Sequence, residues 1–516
     1  MNHKITFLLL VCFSVLISSC NQSNKKIYTI VPDDAAFIAS FSPGKLMEKA
    51  DAADLNFMKD VLGDKEFNKF LFENPGMSGI DVNAHSCAFV CGSEQKYLGV
   101  IMPIKSKKVF EKFLEKMGEE YNVDFTKENA ENYTYSKKDG NVLAWNKSLL
   151  IHLTQIKGSY NSPIEEKLKE LFSLEDENCI LSEKDFNSFL GEQKDLNLWL
   201  TSNQLGNLGN GGLGMMNIFG AINNNYAHIS LEFGNGEIII NSNLRLNPDF
   251  KKNFDKFNFI DLAAEKDILK MLPAEDLILA GNLRINPEKM LEIIRLLNTG
   301  NNAFLEEFEK ESGKKPAEVL NSIQGSLAFS INAITPIKSD NNASDTTECS
   351  DKNMPILVAA MQLNDEKIFT DFLKLVMQNK SLEEKQGYYI VHAENTPFFI
   401  LIKNKIILLS NHEKYITEII NSGKIENNLF SQDISKALID YPVCVYLNLD
   451  RDTYSEKLRN YFNTELDQTF AKGMGNAGAS LKSLTLSGSI EKTEVRIELK
   501  EKSVNSLHAI LKALDK

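Results

Sequence analysis

The sequence predicts an α+β protein made of two tandem copies of a similar domain, with mainly antiparallel sheets and packed helices. Three observations carry this expectation. Short apolar strand runs come in pairs joined by short turns, with single amphipathic helices between them, as antiparallel sheets with attached helices require. The stretch 31–49, VPDDAAFIASFSPGKLMEK, recurs in outline at 272–292, LPAEDLILAGNLRINPEKMLE. Further landmarks follow both stretches in one order, offset by roughly 240 to 260 residues, a period too long for a solenoid and suited to a duplicated domain.

The first copy is expected over residues 30–250. Residues 35–41 read as a strand, Ser42 as a helix N-cap and Pro43 as the first helical residue. Helical segments follow as far as Phe72 and stop at Asn74-Pro75-Gly76. Residues 86–91, SCAFVC, and 97–104 read as paired strands around Gly92-Ser93. Residues 107–117 carry Val109, Phe110, Phe113, Leu114 and Met117 at helical spacing. Strands follow at 133–136, 142–145 and 149–153, with turns at Asp139-Gly140 and Asn146-Lys147. After a helix near 164–172 come a strand at 196–200 and a glycine-rich loop at 206–214. The copy closes with a hairpin, 227–233 and 237–246, turned by Asn235-Gly236, residues that accept the positive φ of a tight hairpin turn.

Residues 251–270 read as a connection, and the second copy as 271–516. Its opening strand is 277–285, with Asn286 as cap and Pro287 as first helical residue. Residues 325–332, GSLAFSIN, match SCAFVC, and 355–363 match 98–104. The helix 367–377 places Ile368, Phe369, Phe372 and Leu373 in the register of its counterpart. Residues 443–449 match 196–200, and 481–490 with 494–499 match the closing hairpin. The glycine loop recurs at 473–478. The chief departure is the insertion 334–353, ITPIKSDNNASDTTECSDKN, whose polar, aromatic-free composition predicts a mobile loop.

The 516 residues, 43% apolar and 25% charged, suit a soluble chain of more than one domain. A formal charge of −13 argues against a nucleic-acid partner, which requires clustered Lys and Arg to neutralise phosphates. Lys4 and the apolar run 5–17 make a secretory leader, 1–19, too short for an ordinary membrane span. It ends Ile17-Ser18-Ser19-Cys20. That ending resembles a bacterial lipobox, which implies cleavage before Cys20 and acylation of its thiol and new amino terminus, with small residues ahead of the Cys giving the peptidase access. Residues 20–29 then form a lipidated tether, and two or three acyl chains hold a protein to a bilayer where one is marginal. Past Cys20 lie Cys87, Cys91, Cys179, Cys349 and Cys444, an odd number that leaves at least one without an intramolecular partner. Cys87 and Cys91 are too far apart along one strand to bridge, and their disulfide status, like that of the others, stays open.

No catalytic residues are expected. Ser42-Pro43-Gly44-Lys45 has the spacing of a Ser nucleophile activated by Lys, but its counterpart is Asn286, and an N-cap explains both. The acidic pairs Asp33-Asp34 and Glu275-Asp276 sit at equivalent places, where a turn before a strand accounts for them. The seven His are scattered, with His412-Glu413 at an expected helix start, and no metal or cofactor motif is present. The glycine loops lack the strand–helix context of phosphate binding. Trp145 and Trp199 fall inside apolar strand runs, which argues against glycan platforms.

The lipobox, the opening PDDAAFIAS with its KLMEK helix, and the total length together resemble an uncharacterised lipoprotein family of the Bacteroidota, known as a domain of unknown function. The resemblance covers nearly the whole mature chain and supplies no functional residues. In that group, surface-exported lipoproteins carry an acidic run after the Cys, and Asn21–Lys26 has none. The implied place is the outer membrane facing the periplasm, with surface exposure as the alternative. The expected function is non-enzymatic binding or assembly of an envelope protein or small ligand, by a chain held to the bilayer through acylated Cys20. The alternatives are a periplasmic hydrolase with a site between the repeats and a cell-surface adhesin or nutrient-capture lipoprotein.

Overall fold

A computed structural model describes residues 25–51, 75–92, 95–122, 125–138, 140–156, 163–191, 193–201, 225–248, 251–252, 266–291, 306, 308–310, 313–336, 353–376, 382–393, 396–462, 478–489 and 491–514. The expected leader 1–19, Cys20, the part beyond Asp51 of the helical segments expected as far as Phe72, the expected loop 206–214, most of the expected loop 473–478 and residues 337–352 lie outside them. The chain divides into two compact units, Met1–Asn247 with Ser503–Lys516, and Pro248–Lys502. Helices are numbered α1 (Pro43–Ala50), α2 (Lys107–Tyr121), α3 (Ile164–Phe172), α4 (Lys184–Leu190), α5 (Lys266–Leu269), α6 (Pro316–Asn321), α7 (Glu366–Val376), α8 (Glu413–Ser422), α9 (Ser435–Asp440), α10 (Glu456–Tyr461) and α11 (Ser506–Leu514).

In the first unit the strands are β1 (Phe37–Phe41), β2 (Ser86–Cys91), β3 (Tyr97–Pro103), β4 (Glu128–Asn129), β5 (Thr134–Lys138), β6 (Asn141–Trp145), β7 (Leu149–Gln155), β8 (Leu196–Thr201), β9 (Tyr226–Gly234) and β10 (Glu237–Arg245). Their order across the sheet is β4-β5-β6-β7-β3-β2-β1-β8-β9-β10, every pair antiparallel. One face carries the main core. Ile38, Cys87, Phe89, Ile101, Ile151 and Trp199 pack there against Leu168 and Leu171 of α3 and Phe186 and Phe189 of α4. Phe89 lies across from Gly99, where a Cβ would come within 2.3 Å of its ring, so the pair needs a residue without one. Gly236, at φ 67°, turns β9 into β10 as expected.

Residues 26–30, expected to belong to a tether over 20–29, are part of the fold. Lys26–Ile30 is a 3-10 turn, and Ile27, Tyr28 and Ile30 belong to the core. The Tyr28 hydroxyl donates to Ser40 Oγ at 2.8 Å and accepts from Gln193 Nε2 at 3.2 Å. An apolar IYTI run gains more by burial than by remaining a linker. On the other face of the sheet, α2 covers one end, with Phe110 and Leu114 against Trp145 and Leu150. Ser106 accepts the Val109 N–H at its start, and Asn122 ends it in the left-handed conformation. Val109, counted on its apolar stripe by spacing, is 38% exposed and stands outside it.

The C-terminal residues also fall elsewhere than expected. Ser503–Lys516, assigned by sequence to the second copy, belong to the first unit. Gly236 N–H donates to Val504 O at 2.9 Å, Asn505 Nδ2 donates to Phe233 O at 3.0 Å, and His508 Nδ1 lies 2.9 Å from Ala50 O. These bonds set α11 against α1 and β9.

The second unit contains β11 (Leu277–Arg284), β12 (Ile323–Pro336), β13 (Asn353–Leu363), β14 (Leu382–Lys385), β15 (Tyr388–Ala393), β16 (Thr396–Lys403), β17 (Ile406–Ser410), β18 (Val443–Asn448), β19 (Leu481–Gly488) and β20 (Lys492–Leu499). The order is β14-β15-β16-β17-β13-β12-β11-β18-β19-β20, again antiparallel throughout. Strand for strand it is the order of the first unit. The core joins Ala280, Ala328, Val358, Leu408 and Cys444 to Tyr415, Ile416 and Ile419 of α8 and Leu438 of α9. Arg284, 5% exposed, donates to the Leu438 and Ile439 carbonyls and so caps the end of α9. α7 covers one end of the opposite face, with Leu373 against Val391 and Ile400.

Two boundaries shift here. Ile268 and Leu269 of α5, placed by sequence in the connection 251–270, are core residues of this unit. Ile334 to Pro336 and Asn353, assigned to the mobile insertion, are the facing ends of β12 and β13, with Ile334 5% exposed. The match of SCAFVC to GSLAFSIN holds for the strand but slips by one residue. Counted back from the helix caps, Ile38 corresponds to Asn282, and their partners are Phe89 and Ala328. Phe329 therefore faces the side opposite to Phe89, because strand side chains alternate.

Candidate functional site

The sequence candidates do not converge on a reaction centre. Ser42, 2% exposed, donates through Oγ to Asn83 O at 3.1 Å, while Lys45 is exposed. Ser42 caps α1 by position but its side chain makes no cap bond; Asn286 does, accepting the Lys289 N–H at 3.2 Å. His412 is the N-cap of α8, its Nδ1 accepting the Lys414 N–H at 3.3 Å. Cys87, Cys91, Cys179 and Cys444 are buried free thiols. Burial pushes Cys91 and Cys444 up to about 12, far from the thiolate a nucleophile needs. Trp145 and Trp199 are both fully buried. Among the described residues, no three His, Cys, Asp or Glu are placed to hold a metal ion.

The acidic pairs occupy matching turns. Pro32 bridges to Cys179 and Pro273 to Asn428, and each pair turns the chain into the unit's first strand. Their surroundings differ. Asp276 accepts the Ser455 N–H at 2.7 Å and Glu275 lies 3.6 Å from Lys414. Asp33 and Asp34 instead border a cavity of about 540 Å³ with Pro32, Glu170, Ser173, Leu174, Glu175 and Asn178. Lys167 reaches Glu170 at 2.6 Å beside it. The Ser173 hydroxyl is committed to the Lys169 and Glu170 carbonyls, so no nucleophile–base pair forms.

Burial, ahead of the neighbouring Asp33 and Glu170 charges and against Lys167, raises the Asp34 carboxyl above its ordinary value. The folded state then holds the proton more tightly than the unfolded chain. Asp34 thus costs nothing below the ordinary value of 3.8 and costs stability as pH rises through its raised value. Asp34→Asn is expected to raise the melting temperature of the first unit near neutral pH and leave it unchanged below about pH 3. A lower melting temperature at neutral pH would mean that attraction to Lys167 outweighs burial.

The more unusual surface is the sheet face opposite each main core. On β8 the polar Asn197 and Thr201 are buried with Trp199, while Leu196, Leu198 and Leu200 are half-buried on the other side. On β9 the inversion repeats, His228 and Ser230 being buried and Ile229 and Leu231 half-buried. Leu198 pairs with both Ile229 and Ala39, and Leu200 with Phe37, which pairs with Val90. Leu98, next across on β3, is 37% exposed. The second unit repeats the arrangement. Ser483 and Ser487 of β19 are buried, while Leu484 and Leu486 are half-buried beside Leu447 and Val445 of β18. Leu279 and Phe329 extend this face across β11 and β12, both half-buried. The alternation in LNLWLT was visible in the sequence, but alternation alone puts the leucines inside. Their incomplete burial, beside buried polar neighbours, is the signal that sequence reasoning missed.

These features define a class: an α+β protein of two antiparallel-sheet units, each with one buried core face and an opposite face whose described apolar residues are half-buried. The chain belongs to the family described as domain of unknown function DUF4836, which matches residues 28–507. No curated protein matches it. Among solved structures it is similar to crystal forms IV, III and I of TP0453, at 11%, 9% and 11% identity and TM-scores of 0.26, 0.26 and 0.24. These cover 45%, 46% and 44% of this chain and 85%, 88% and 82% of the other. No helix of the described residues is long and apolar enough to cross a membrane.

Proposed function

We propose that this chain is a lipid-anchored lipoprotein of the cell envelope, facing the periplasm from the outer membrane, that binds rather than catalyses. Its two units are copies of one domain, and each offers its apolar sheet face to an envelope protein or a small apolar ligand. The lipobox at Cys20 supports the anchor, and the shared strand order supports the duplication. The observation that carries the binding role is the inversion on β8–β9 and β19, where polar side chains are buried and leucines are only half-buried. Contiguous apolar surface of this kind marks sites that something else covers. Two such faces on one anchored chain raise the effective concentration of whatever binds both.

The test places a charge on each face. Leu198→Asp in the first unit and Leu486→Asp in the second are expected each to remove roughly half of the binding of an apolar fluorophore. Photo-cross-links formed from Ile229 in intact cells are expected to disappear in the first variant, with circular dichroism unchanged. Folded variants that keep both the fluorophore binding and the cross-links would sink the reading.

A further inference from the structure

We infer that the first unit lies on its anchoring bilayer through the surface around Lys25, Lys26, Lys184 and Ser188, with its apolar sheet face turned away from that bilayer. The inference rests on the lipid anchor proposed at Cys20. The chain enters the core almost at once, since Ile27 is 1% exposed and Tyr28 fully buried. Lys26 is therefore fixed to the fold, and only the stretch from Cys20 to Lys26 can act as tether. Fully extended, it spans about 20 Å. A compact unit of roughly 250 residues is about 45 Å across, so the tether reaches less than half its width.

The point of entry is also defined. Lys25 and Lys26 are exposed, and Lys25 Nζ donates to Asn187 Oδ1 of α4 at 3.4 Å. Tyr28 packs on Phe186 of the same helix, ring centroids 5.2 Å apart. The chain thus emerges from the layer on the main-core side of the sheet, beside exposed Lys184 and Ser188. The apolar face and α2 belong to the other side. Each packed layer adds about 10 Å, so a path from Lys26 around the sheet edge to the far surface runs to about 30 Å or more. The tether cannot cover it. Lys25, Lys26 and Lys184 offer ammonium groups to lipid phosphates, although Glu183 and Asp185 lie alongside. Tether length, rather than net charge, sets this contact. The consequence for binding is direct: the apolar face of this unit meets partners from the aqueous compartment, not the lipid of its own leaflet.

The test uses the acylated full-length chain in vesicles containing a headgroup-labelled acceptor lipid. A donor fluorophore is attached to Ser188→Cys or, on the far layer, to Lys112→Cys, each with Cys349→Ser. Energy transfer is expected to be several-fold stronger from position 188 than from 112. A 20-residue Gly-Ser insert after Asn24 is expected to abolish the difference. Equal transfer from the two positions, or stronger transfer from 112, in protein that floats with the vesicles would overturn the orientation alone. Failure of the chain to float with vesicles, or flotation that survives Cys20→Ala, would overturn the anchor and the orientation together.

Discussion

Deleting residues 503–516 is expected to lower the melting transition of the first unit by about 6–12 °C and leave that of the second in place. Leu507, Ile510 and Leu511 of α11 are each half-buried. At half of the roughly 1.5–3 kcal/mol for a fully buried aliphatic side chain, their loss amounts to about 3 kcal/mol. At 2–4 °C per kcal/mol for a unit of this size, the stated shift follows. The deletion also strips the Gly236 N–H of Val504 O and removes the Asn505 amide from Phe233 O. Scanning calorimetry would separate the two transitions. A selective shift of the second unit would show that the C-terminal residues stabilise the unit that precedes them in sequence, contrary to their contacts.

The second large effect concerns Lys49, near the end of α1. Its Nζ lies 2.6 Å from Asp195 Oδ2 and 2.8 Å from Phe233 O, and Asp195 Oδ2 also accepts the Phe233 N–H at 2.7 Å. One ammonium thus ties α1 to the residue before β8 and to the end of β9. Removing one partner of a fully buried pair costs about 3–5 kcal/mol, because the other charge is left unpaired in a poor solvent. The Asp195 side chain is 9% exposed but that of Lys49 is 30%, so water screens part of the loss. Lys49→Met is accordingly expected to cost about 2 kcal/mol, read as a drop in the urea midpoint with unchanged slope. Adding Asp195→Asn should cost little more than Lys49→Met alone, since the two side chains act as one unit. Strict additivity of the two substitutions would argue that the pair is not coupled.

Both expectations depend on contacts that bring distant parts of the chain together, and this separates what the sequence determined from what the tertiary structure decided. Local chemistry was legible. Asn235-Gly236 specified the hairpin, Ser106 and the Phe110–Leu114 spacing specified α2, and the acidic pairs marked turns into β1 and β11, because each involves neighbours along the chain. The shared strand order was only implied, since pairing β8 with β1, or β18 with β11, joins segments far apart in sequence. Three matters were beyond any local rule. Whether Leu196, Leu198 and Leu200 or Asn197 and Thr201 face the core depends on which face the helices cover. Whether 26–30 is tether or core depends on its packing against β2, β3 and Phe186 of α4. Whether 503–516 belongs with its sequence neighbours or with the first unit depends on the end of β9 and the carbonyl of Ala50. The physical reason is common to all three. Periodicity fixes which side chains share a face, but burial fixes which face is inside, and burial is a property of the folded chain as a whole.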